Sequence, residues 1–380
     1  MKQIQMVDLQ AQHEKIQPQI NAAIQQVIQS AKYINGPEVG LFAKNLASYL
    51  DVDHVIPCAN GTDALQIAMM ALNLKPGDEV ILPAFTYVAT AEVIALLKLV
   101  PVLVDVNEDD FLINVDLIEN AITPKTKAIV PVHLFGQCAN MDAIMHIAKK
   151  HGLFVIEDAA QSIGAKYTSK TGLVQRSGTI GHIGCTSFFP SKNLGCMGDG
   201  GALFTRDEHL AKRIKMIANH GQTVQYQHDD IGVNSRLDTL QAAILNIKLT
   251  TLDACEQGRL ALANAYDKAF GGHANFIIPT RNPQSTHVFH QYTLRCNGID
   301  RNALREFLSS KNVPSMVYYP IPLHVQKAYQ SSRYPKGSLP VTEKLCKQVI
   351  SLPMSPEVTE EQKQYIITQV LQFSNNSSQF

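Results

Sequence analysis

The sequence predicts an α/β protein with a large, mostly parallel sheet and a smaller α+β domain at its C-terminus. From residue 54 to about residue 250, short segments rich in Val, Ile and Leu alternate with helical patterns, which is typical of a parallel sheet covered by helices on both faces. After residue 250 this alternation stops. We therefore predict a large domain over residues 1–250, with an N-terminal arm over residues 1–35, and a small domain over residues 251–380.

The N-terminal arm is predicted from its helical spacing. Apolar residues such as Ile16, Ile20 and Val27 recur at that spacing and indicate an amphipathic helix over residues 13–31. Gly36 and Pro37 then break the pattern. Such a helix either belongs to the core of one chain or packs across a subunit interface.

The large domain is predicted as a series of alternating elements. Apolar runs indicate strands at residues 55–58, 79–83, 101–106, 128–134, 153–156 and 202–205. The segments between them indicate helices at residues 63–74, 90–99, 140–150 and 208–220. Because ligands bind at the C-terminal ends of the strands in such sheets, the residues that follow each strand are the informative ones.

The small domain combines helices with at least one strand. The pattern predicts helices near residues 255–270, 301–311 and 357–372, and an alternating strand at residues 287–296. An aromatic and proline-rich segment lies at residues 316–323. This mixture is typical of an α+β unit.

The composition fits a globular protein of about two domains. Of the 380 residues, 45% are apolar, and 33 basic side chains balance 33 acidic ones, so nothing indicates a nucleic-acid partner. We find neither a signal region nor an apolar run of membrane-spanning length, and therefore expect a cytoplasmic protein without membrane contact. The seven cysteines are scattered without metal-binding spacing, so we expect reduced core residues and no metal site.

A lysine and an acid, each placed after a buried strand, are the first candidates for chemistry. Lys192 lies on a Pro/Ser turn before the glycine-rich run at residues 195–201, where an amine can lose solvent and act as a nucleophile. Asp158 closes an apolar strand. Pyridoxal phosphate requires such a pair, since the lysine binds the cofactor covalently and the carboxylate keeps the pyridine nitrogen protonated. Taken singly, however, the lysine also fits a solvated loop residue and the acid a turn former.

Three further positions after strands fit the same cofactor. Gly61 and Thr62 open a helix, where free backbone N–H groups and a hydroxyl can hold a phosphate, and Ser187 offers a second hydroxyl. Tyr87 follows another strand and can lie flat on a planar ring. The alternatives are helix capping for the Gly-Thr pair and core packing for the tyrosine.

Polar and aromatic residues nearer the C-terminus are weaker candidates. Asn234 and Arg236 lie where a polar loop gives way to a helix, and by default they are solvated or capping residues. The 316–323 segment contains Tyr318 and Tyr319, and His324 follows it. A lone histidine in such a segment is more often part of a structural hydrogen bond than a ligand contact.

Six motifs in register resemble the nucleotide-sugar aminotransferases, which are fold type I pyridoxal phosphate enzymes. They start at Asn60, Phe85, Glu157, Ser187, Asn234 and Tyr319, and the likeness runs from about residue 4 to the end of the chain. The resemblance implies a large, mostly parallel sheet of the seven-stranded type followed by a small α+β domain. It also implies pyridoxal 5′-phosphate as the cofactor.

The resemblance implies roles for the residues around the cofactor ring. Lys192 would form the internal Schiff base and then move the proton between the cofactor and the sugar carbon. Asp158 would pair with the pyridinium nitrogen, Gln161 would contact the phenolic side of the ring, and Tyr87 would stack on its face.

The resemblance also implies how the phosphate is held. Gly61, Thr62 and Ser187 would bind it from one subunit, and Asn234 would reach it from the neighbouring subunit. The active form would therefore be a homodimer with shared active sites.

Within this family, the segments near residues 232–245 and 319–323 look most like enzymes that aminate C3 of a UDP-linked 3-keto-N-acetylglucosaminuronic acid for O-antigen, with glutamate as amino donor. Arg236 would then pair with the sugar carboxylate or the diphosphate. Tyr318, Tyr319 and His324 would also contact the substrate. In one departure, Tyr318 stands where many relatives have histidine, which affects the choice of sugar.

Several alternatives remain at this point. The substrate is alternatively a 4-keto or 3-keto-6-deoxy hexose on UDP or dTDP. A related deoxygenating branch lacks the Schiff-base lysine, so Lys192 argues against it. A sugar-nucleotide sensor on the same fold is allowed, because fold does not dictate function, but the presence of Lys192, Asp158 and Gln161 argues against it, since a sensor needs no proton shuttle. A nicotinamide-dependent dehydrogenase is disfavoured because no Gly-x-Gly-x-x-Gly follows a strand.

Overall fold

The structure is a computed structural model that describes the backbone of residues 2–377 and the side-chain surroundings of residues 2–374. The helices are α1 (Leu9–Glu14), α2 (Gln17–Ser30), α3 (Pro37–Leu50), α4 (Gly61–Ala71), α5 (Ala89–Leu96), α6 (Ile118–Ala121), α7 (Met141–His151), α8 (Glu208–Ala218), α9 (Thr239–Leu249), α10 (Leu252–Phe270), α11 (Arg301–Ser310), α12 (Pro340–Gln348) and α13 (Glu360–Ser377). The strands are β1 (His54–Cys58), β2 (Glu79–Pro83), β3 (Val100–Val104), β4 (Thr126–Ile129), β5 (Phe154–Asp158), β6 (Lys166–Thr168), β7 (Val174–Arg176), β8 (Ile183–Ser187), β9 (Gly201–Thr205), β10 (Gln222–Val224), β11 (Gln227–His228), β12 (Phe276–Ile277), β13 (Tyr292–Cys296) and β14 (Val349–Leu352).

A seven-stranded sheet forms the centre of the large part of the chain. Its strand order is β1-β9-β8-β5-β4-β2-β3. The pairs from β8 to β3 are parallel, whereas β9 is antiparallel to both of its neighbours. The predicted large and mostly parallel sheet is therefore confirmed.

Helices cover both faces of this sheet because apolar side chains point alternately to either side of the buried strands. In β2, Val80 and Leu82 pack in the core shared with α4, α5 and α8, whereas Ile81 packs in the core shared with α7. Asn140 begins α7 by accepting a hydrogen bond from the backbone N–H of Ala143, and Gly152 ends it with a φ of 64°. This layered arrangement brings the C-terminal ends of β1, β8, β5 and β2 to one edge.

The last third of the chain builds a separate three-stranded antiparallel sheet in the order β12-β13-β14. Its core contains Tyr266 of α10, Tyr292 of β13, Leu304 of α11 and Ile366 of α13. Ile4 from the N-terminal segment packs in the same core, so the first residues of the chain lie against its last third. The domain division at residue 250 stays a prediction.

Three predicted elements differ from the structure. The single helix predicted over residues 13–31 is two helices, α1 and α2, and Pro18 lies in the first turn of the second. The strand predicted over residues 287–296 begins only at Tyr292, because Phe289 has a φ of 45°, which is incompatible with an extended strand. The strand predicted over residues 128–134 ends at Ile129. The strand β14 and the β6–β7 hairpin were not predicted.

Within residues 2–377, no helix combines the length and the apolar character that crossing a membrane requires. The same part of the chain holds no group of three or more His, Cys, Asp or Glu side chains arranged to bind a metal ion.

Candidate active site

A cavity of about 780 Å³ opens where β1, β8, β5 and β2 end. Nine of the residues predicted from the sequence to bind cofactor or substrate line it. They are Gly61, Thr62, Tyr87, Asp158, Gln161, Ser187, Lys192, Tyr318 and Tyr319. The structure therefore brings together in one place residues that span more than half of the chain.

Lys192 lies on the turn that follows β8. Its backbone N–H donates to the carbonyl of Phe189 at 2.8 Å, which closes the turn and directs the chain back toward the glycine-rich run. Burial lowers the pKa of the Lys192 amine to about 8, although the nearby Asp158 carboxylate acts in the opposite direction. The amine is therefore far closer to its neutral, nucleophilic form near neutral pH than an exposed lysine is.

Asp158 is the last residue of β5, and its carboxylate is held from two directions. The hydroxyl of Thr90, in the first turn of α5, donates to Oδ2 at 2.8 Å, and the backbone N–H of Ala160 donates to Oδ1 at 3.2 Å. The residue is buried. A buried carboxylate with fixed partners can present a negative charge to a cationic ring nitrogen without reorganising.

Gln161 connects the acid segment to the aromatic wall of the cavity. Its Oε1 accepts the backbone N–H of Phe135 at 2.7 Å, and its Nε2 donates to the hydroxyl of Tyr319 at 3.2 Å. Both ends of the amide are thereby used, so its orientation is fixed. Burial raises the pKa of the Tyr319 hydroxyl well above its ordinary value, so Tyr319 stays neutral.

Aromatic rings form one side of the cavity. The ring centroids of Tyr87 and Tyr319 are 6.1 Å apart, and those of Phe85 and Tyr319 are 6.0 Å apart. Phe85 is buried, whereas 56% of Tyr87 is exposed. The exposed face of Tyr87 is available to a planar ligand, as the stacking prediction requires.

An anion cradle lies at the N-terminus of α4. The side chain of Asn60 accepts the backbone N–H of Asp63 at 2.8 Å, which fixes the first turn of the helix. Gly61 lies against Ser187, and a Cβ at Gly61 would come within 2.7 Å of the Ser187 Cβ. The absence of a side chain at Gly61 thus lets the hydroxyl of Ser187 and the helix N-terminus face the same space, and such an arrangement favours an anion.

Three predicted residues lie outside this cavity. Arg236 lines a second cavity of about 880 Å³, between α3 and α8, and Asn234 is exposed nearby. His324 is buried, and its Nε2 lies 3.0 Å from Oε1 of Glu343. Within a single chain, none of these three side chains belongs to the group around Lys192.

Other residues of the cavity were not predicted. His290 and Gln291 line it from the segment just before β13, and Thr86 and Asp199 line it from loops. Burial, together with the positive charges of Lys192 and Arg259, lowers the pKa of His290 well below its ordinary value, so its imidazole is neutral. The sequence signal for His290 was its place in the alternating 287–296 pattern, which indicated a core position rather than a cavity.

A comparison with known protein families identifies the class of this protein. The DegT/DnrJ/EryC1/StrS aminotransferase family matches residues 14–371. The chain belongs to this aminotransferase family. The resemblance predicted from the six motifs is therefore confirmed, and so are the fold class and the enzyme class of a transaminase.

Relatives of this aminotransferase have names that state different sugars or a regulatory role. UDP-2-acetamido-2-deoxy-3-oxo-D-glucuronate aminotransferase from Pseudomonas aeruginosa is 49% identical, over 93% of this chain and 95% of the relative. A protein from Geobacillus stearothermophilus named "Pleiotropic regulatory protein" is 44% identical, over 97% and 98% of the two chains. Other relatives are named as transaminases of dTDP-linked amino sugars.

The cofactor of the aminotransferase is pyridoxal 5′-phosphate. The crystal structure of NtdA from Bacillus subtilis, with bound cofactor PMP, aligns with a TM-score of 0.86 at 35% identity, covering 93% of this chain and 81% of that one. The residues present in this structure fit the cofactor. An amine with a lowered pKa, a fixed carboxylate, an exposed aromatic face and a helix N-terminus lie around one cavity.

Proposed function

We propose that this aminotransferase moves an amino group from glutamate to C3 of UDP-2-acetamido-2-deoxy-3-oxo-glucuronic acid, and that the product enters O-antigen. The observation that supports this choice of sugar is the 49% identity to the Pseudomonas enzyme over nearly the whole chain. The cavity fits the chemistry, since it combines an amine with a lowered pKa, a fixed carboxylate and a phosphate cradle.

Each residue around the cofactor ring has a separate proposed task. Lys192 attaches the cofactor and then, as a free amine, removes and returns the proton at the reacting carbon. Asp158, held by Thr90, keeps the ring nitrogen protonated, and Gln161 fixes the ring on its phenolic side. Tyr87 covers one face of the ring. When bound, pyridoxal phosphate supplies the electron sink that both half-reactions need.

The charges around the cavity support a shared active site. Among the residues that line it, the carboxylates of Asp63, Asp158 and Asp199 outnumber the single lysine, and no arginine is present. A UDP-linked uronic acid brings a diphosphate and a carboxylate, which need cationic partners. We propose that two copies form a homodimer in which Asn234 and Arg236 of one subunit complete the cavity of the other.

The substrate side of the cavity is proposed to consist of Tyr318 and Tyr319, which line it directly. His324 stays a prediction as a substrate contact. Its contact with Glu343 links the turn at residues 323–325 to α12, so we propose that it also keeps this turn in place. We also keep the cytoplasm as the proposed location, where glutamate and nucleotide sugars are both available.

The alternative with specific support is a dTDP-linked keto sugar, since relatives bearing such names are 39% and 35% identical. A sensor role has the name of the Geobacillus relative in its favour. The buried amine of Lys192 beside a fixed carboxylate argues against a purely sensory protein, because a sensor does not need a proton carrier.

The proposal is tested with a panel of nucleotide sugars and glutamate, in which the amino sugar and 2-oxoglutarate are measured by mass spectrometry. The panel contains the UDP-3-keto uronic acid, the matched 3-keto sugar without a carboxylate, and a dTDP-4-keto-6-deoxy sugar. We expect the highest kcat/KM with the uronic acid, and we expect Arg236→Ala to raise KM for that sugar more than KM for glutamate. A preference for the dTDP sugar, or equal losses for both substrates in the variant, would contradict the substrate assignment.

A further inference from the structure

Glu157 and His133 form a fully buried pair next to Asp158, the acid proposed to face the cofactor ring. Glu157 precedes Asp158 in β5, and successive side chains of a strand point to opposite faces. Backbone N–H groups of the 178–181 turn donate to the two Glu157 oxygens at distances of 2.5, 2.7 and 2.9 Å. His133 Nε2 lies 2.8 Å from Glu157 Oε2. Neither Glu157 nor His133 lines the cavity.

The orientation of the His133 ring is fixed at both of its nitrogens. Nδ1 accepts the backbone N–H of Ala139 at 3.1 Å, so the proton of the ring lies on Nε2 and is donated to Glu157. Both side chains are completely buried. Rotation of the ring would leave the buried N–H of Ala139 without its acceptor and would remove the imidazole N–H from Glu157 Oε2, which is costly.

The same segment holds the residues that face the cofactor. The backbone N–H of His133 donates to the Asp158 carbonyl at 3.0 Å, and the Asp158 N–H donates to the Pro131 carbonyl at 2.9 Å. Two residues further on, the N–H of Phe135 donates to the side chain of Gln161 at 2.7 Å. A movement of His133 would therefore displace the partners of both Asp158 and Gln161.

We propose that His133 and Glu157 are positioning residues that hold Asp158 and Gln161 in register with the cofactor ring. The pair acts through the backbone of the 131–135 segment and touches neither cofactor nor substrate. This inference rests on the ring-contacting roles given to Asp158 and Gln161 in the proposed function. Loss of the pair should change the contacts of Asp158 and Gln161 with the cofactor ring and leave the phosphate cradle at Gly61 unchanged.

The test compares His133→Gln and Glu157→Gln with the matched control His182→Gln. In the Glu157 variant, an amide NH2 can face the donors that the carboxylate accepted. In the control, Nδ1 of His182 also accepts a backbone N–H of β5, that of Val155 at 2.9 Å, but the residue has no bond to either carboxylate. For each protein we would measure the dissociation constant of pyridoxal phosphate, the visible circular dichroism of the bound cofactor, kcat, and KM for the sugar nucleotide.

We expect both variants to bind pyridoxal phosphate at least about tenfold more weakly, a loss of about 1.4 kcal/mol. Their visible circular dichroism and kcat should fall while KM for the sugar nucleotide stays within about twofold of wild type. The control should behave like wild type. Wild-type circular dichroism and cofactor affinity in both variants would overturn the proposal, as would losses that the control shares.

Two further measurements separate the possible failures. Asp158→Asn tests the proposed role of Asp158 itself. If that variant behaves like wild type, the site assignment fails and the inference fails with it; if only the His133 and Glu157 variants behave like wild type, the positioning role alone is overturned. Should either variant fail to fold, proton NMR of the wild-type apoenzyme decides. A downfield imidazole N–H resonance that shifts when pyridoxal phosphate binds supports the pair, and the lack of such a resonance or shift refutes it.

Discussion

At the scale of single residues, the chemistry depends on how the structure changes ordinary side chains. Lys192 and Asp158 were predicted from the sequence because each follows a buried strand. His133 was not predicted, because its proposed role comes from contacts with Glu157 and with the backbone of Ala139, which no local pattern encodes. The sequence therefore predicts the groups that carry the chemistry better than the groups that hold them in place.

The buried amine of Lys192 should give the apoenzyme a measurable pH dependence of stability. Its pKa is about 8 in the folded protein and 10.5 in an unperturbed lysine. Between these values the unfolded chain binds more protons, so the free energy of unfolding should rise with pH through this window. Below about pH 8 both states are protonated, and the cost of burying the charge is fully present.

Denaturant unfolding of the apoenzyme between pH 6 and 11 checks this expectation. The difference in unfolding free energy between wild type and Lys192→Ala should increase from about pH 8 to 10.5 and stay level below pH 8. Lys215→Ala, which removes an exposed lysine of α8, is the control. A difference that is flat or falls across the window would show that the amine is not buried as described.

At the scale of elements, the central strands were predictable and the junctions were not. The strand β2 (Glu79–Pro83) matches its prediction because five consecutive apolar or buried positions lie between clear boundaries. The N-terminal helix was predicted as one element because helical periodicity continues across the break between α1 and α2. The strand β14 was missed because it follows α12 without a turn residue between them.

The N-terminus of α4 should be sensitive to one methyl group. In Gly61→Ala, the new Cβ would come within 2.7 Å of the Ser187 Cβ, and such overpacking costs about 1–3 kcal/mol. We expect the affinity for pyridoxal phosphate to fall at least about tenfold, whereas the affinity for pyridoxal, which lacks the phosphate, changes little. Absorbance titrations with both compounds measure the difference.

Gly40→Ala is the matched control for that substitution. Gly40 lies in α3, and a Cβ added there would have no neighbouring atom within 4 Å, so alanine should stabilise the helix by about 1 kcal/mol without affecting the cofactor. If Gly61→Ala weakens pyridoxal and pyridoxal phosphate equally, the cradle does not hold the phosphate.

At the scale of the whole molecule, one chain does not contain every predicted site residue in one cavity. Arg236 lines a second cavity, Asn234 is exposed near it, and the main cavity has no arginine among its lining residues. The six motifs along the sequence could predict the fold and the cofactor, since those depend on the order of elements within one chain. In the proposed dimer, the place of Arg236 depends on the assembly of two subunits, which the order of elements does not specify.

Complementation between two inactive variants tests the shared site. Lys192→Ala and Arg236→Ala are each expected to have little activity with the sugar nucleotide. When the two variants are refolded together in equal amounts, half of the dimers contain one subunit of each. Each mixed dimer would have one intact site, so the mixture should regain about a quarter of wild-type activity. Co-refolding Lys192→Ala with Lys192→Met controls for refolding itself. If the mixture stays inactive, Lys192 and Arg236 act within the same subunit or the dimer does not form.

The most direct test of the account is the visible spectrum of the purified enzyme, recorded before and after glutamate and then after each keto sugar. We expect a cofactor band that glutamate removes and that the UDP-linked 3-keto uronic acid restores, and we expect Lys192→Ala to lack this cycle while retaining its fold. A band that returns only with a dTDP-linked 4-keto sugar would keep the enzyme class and replace the substrate. A complete cycle in Lys192→Ala would contradict the role of Lys192, on which the whole mechanism depends.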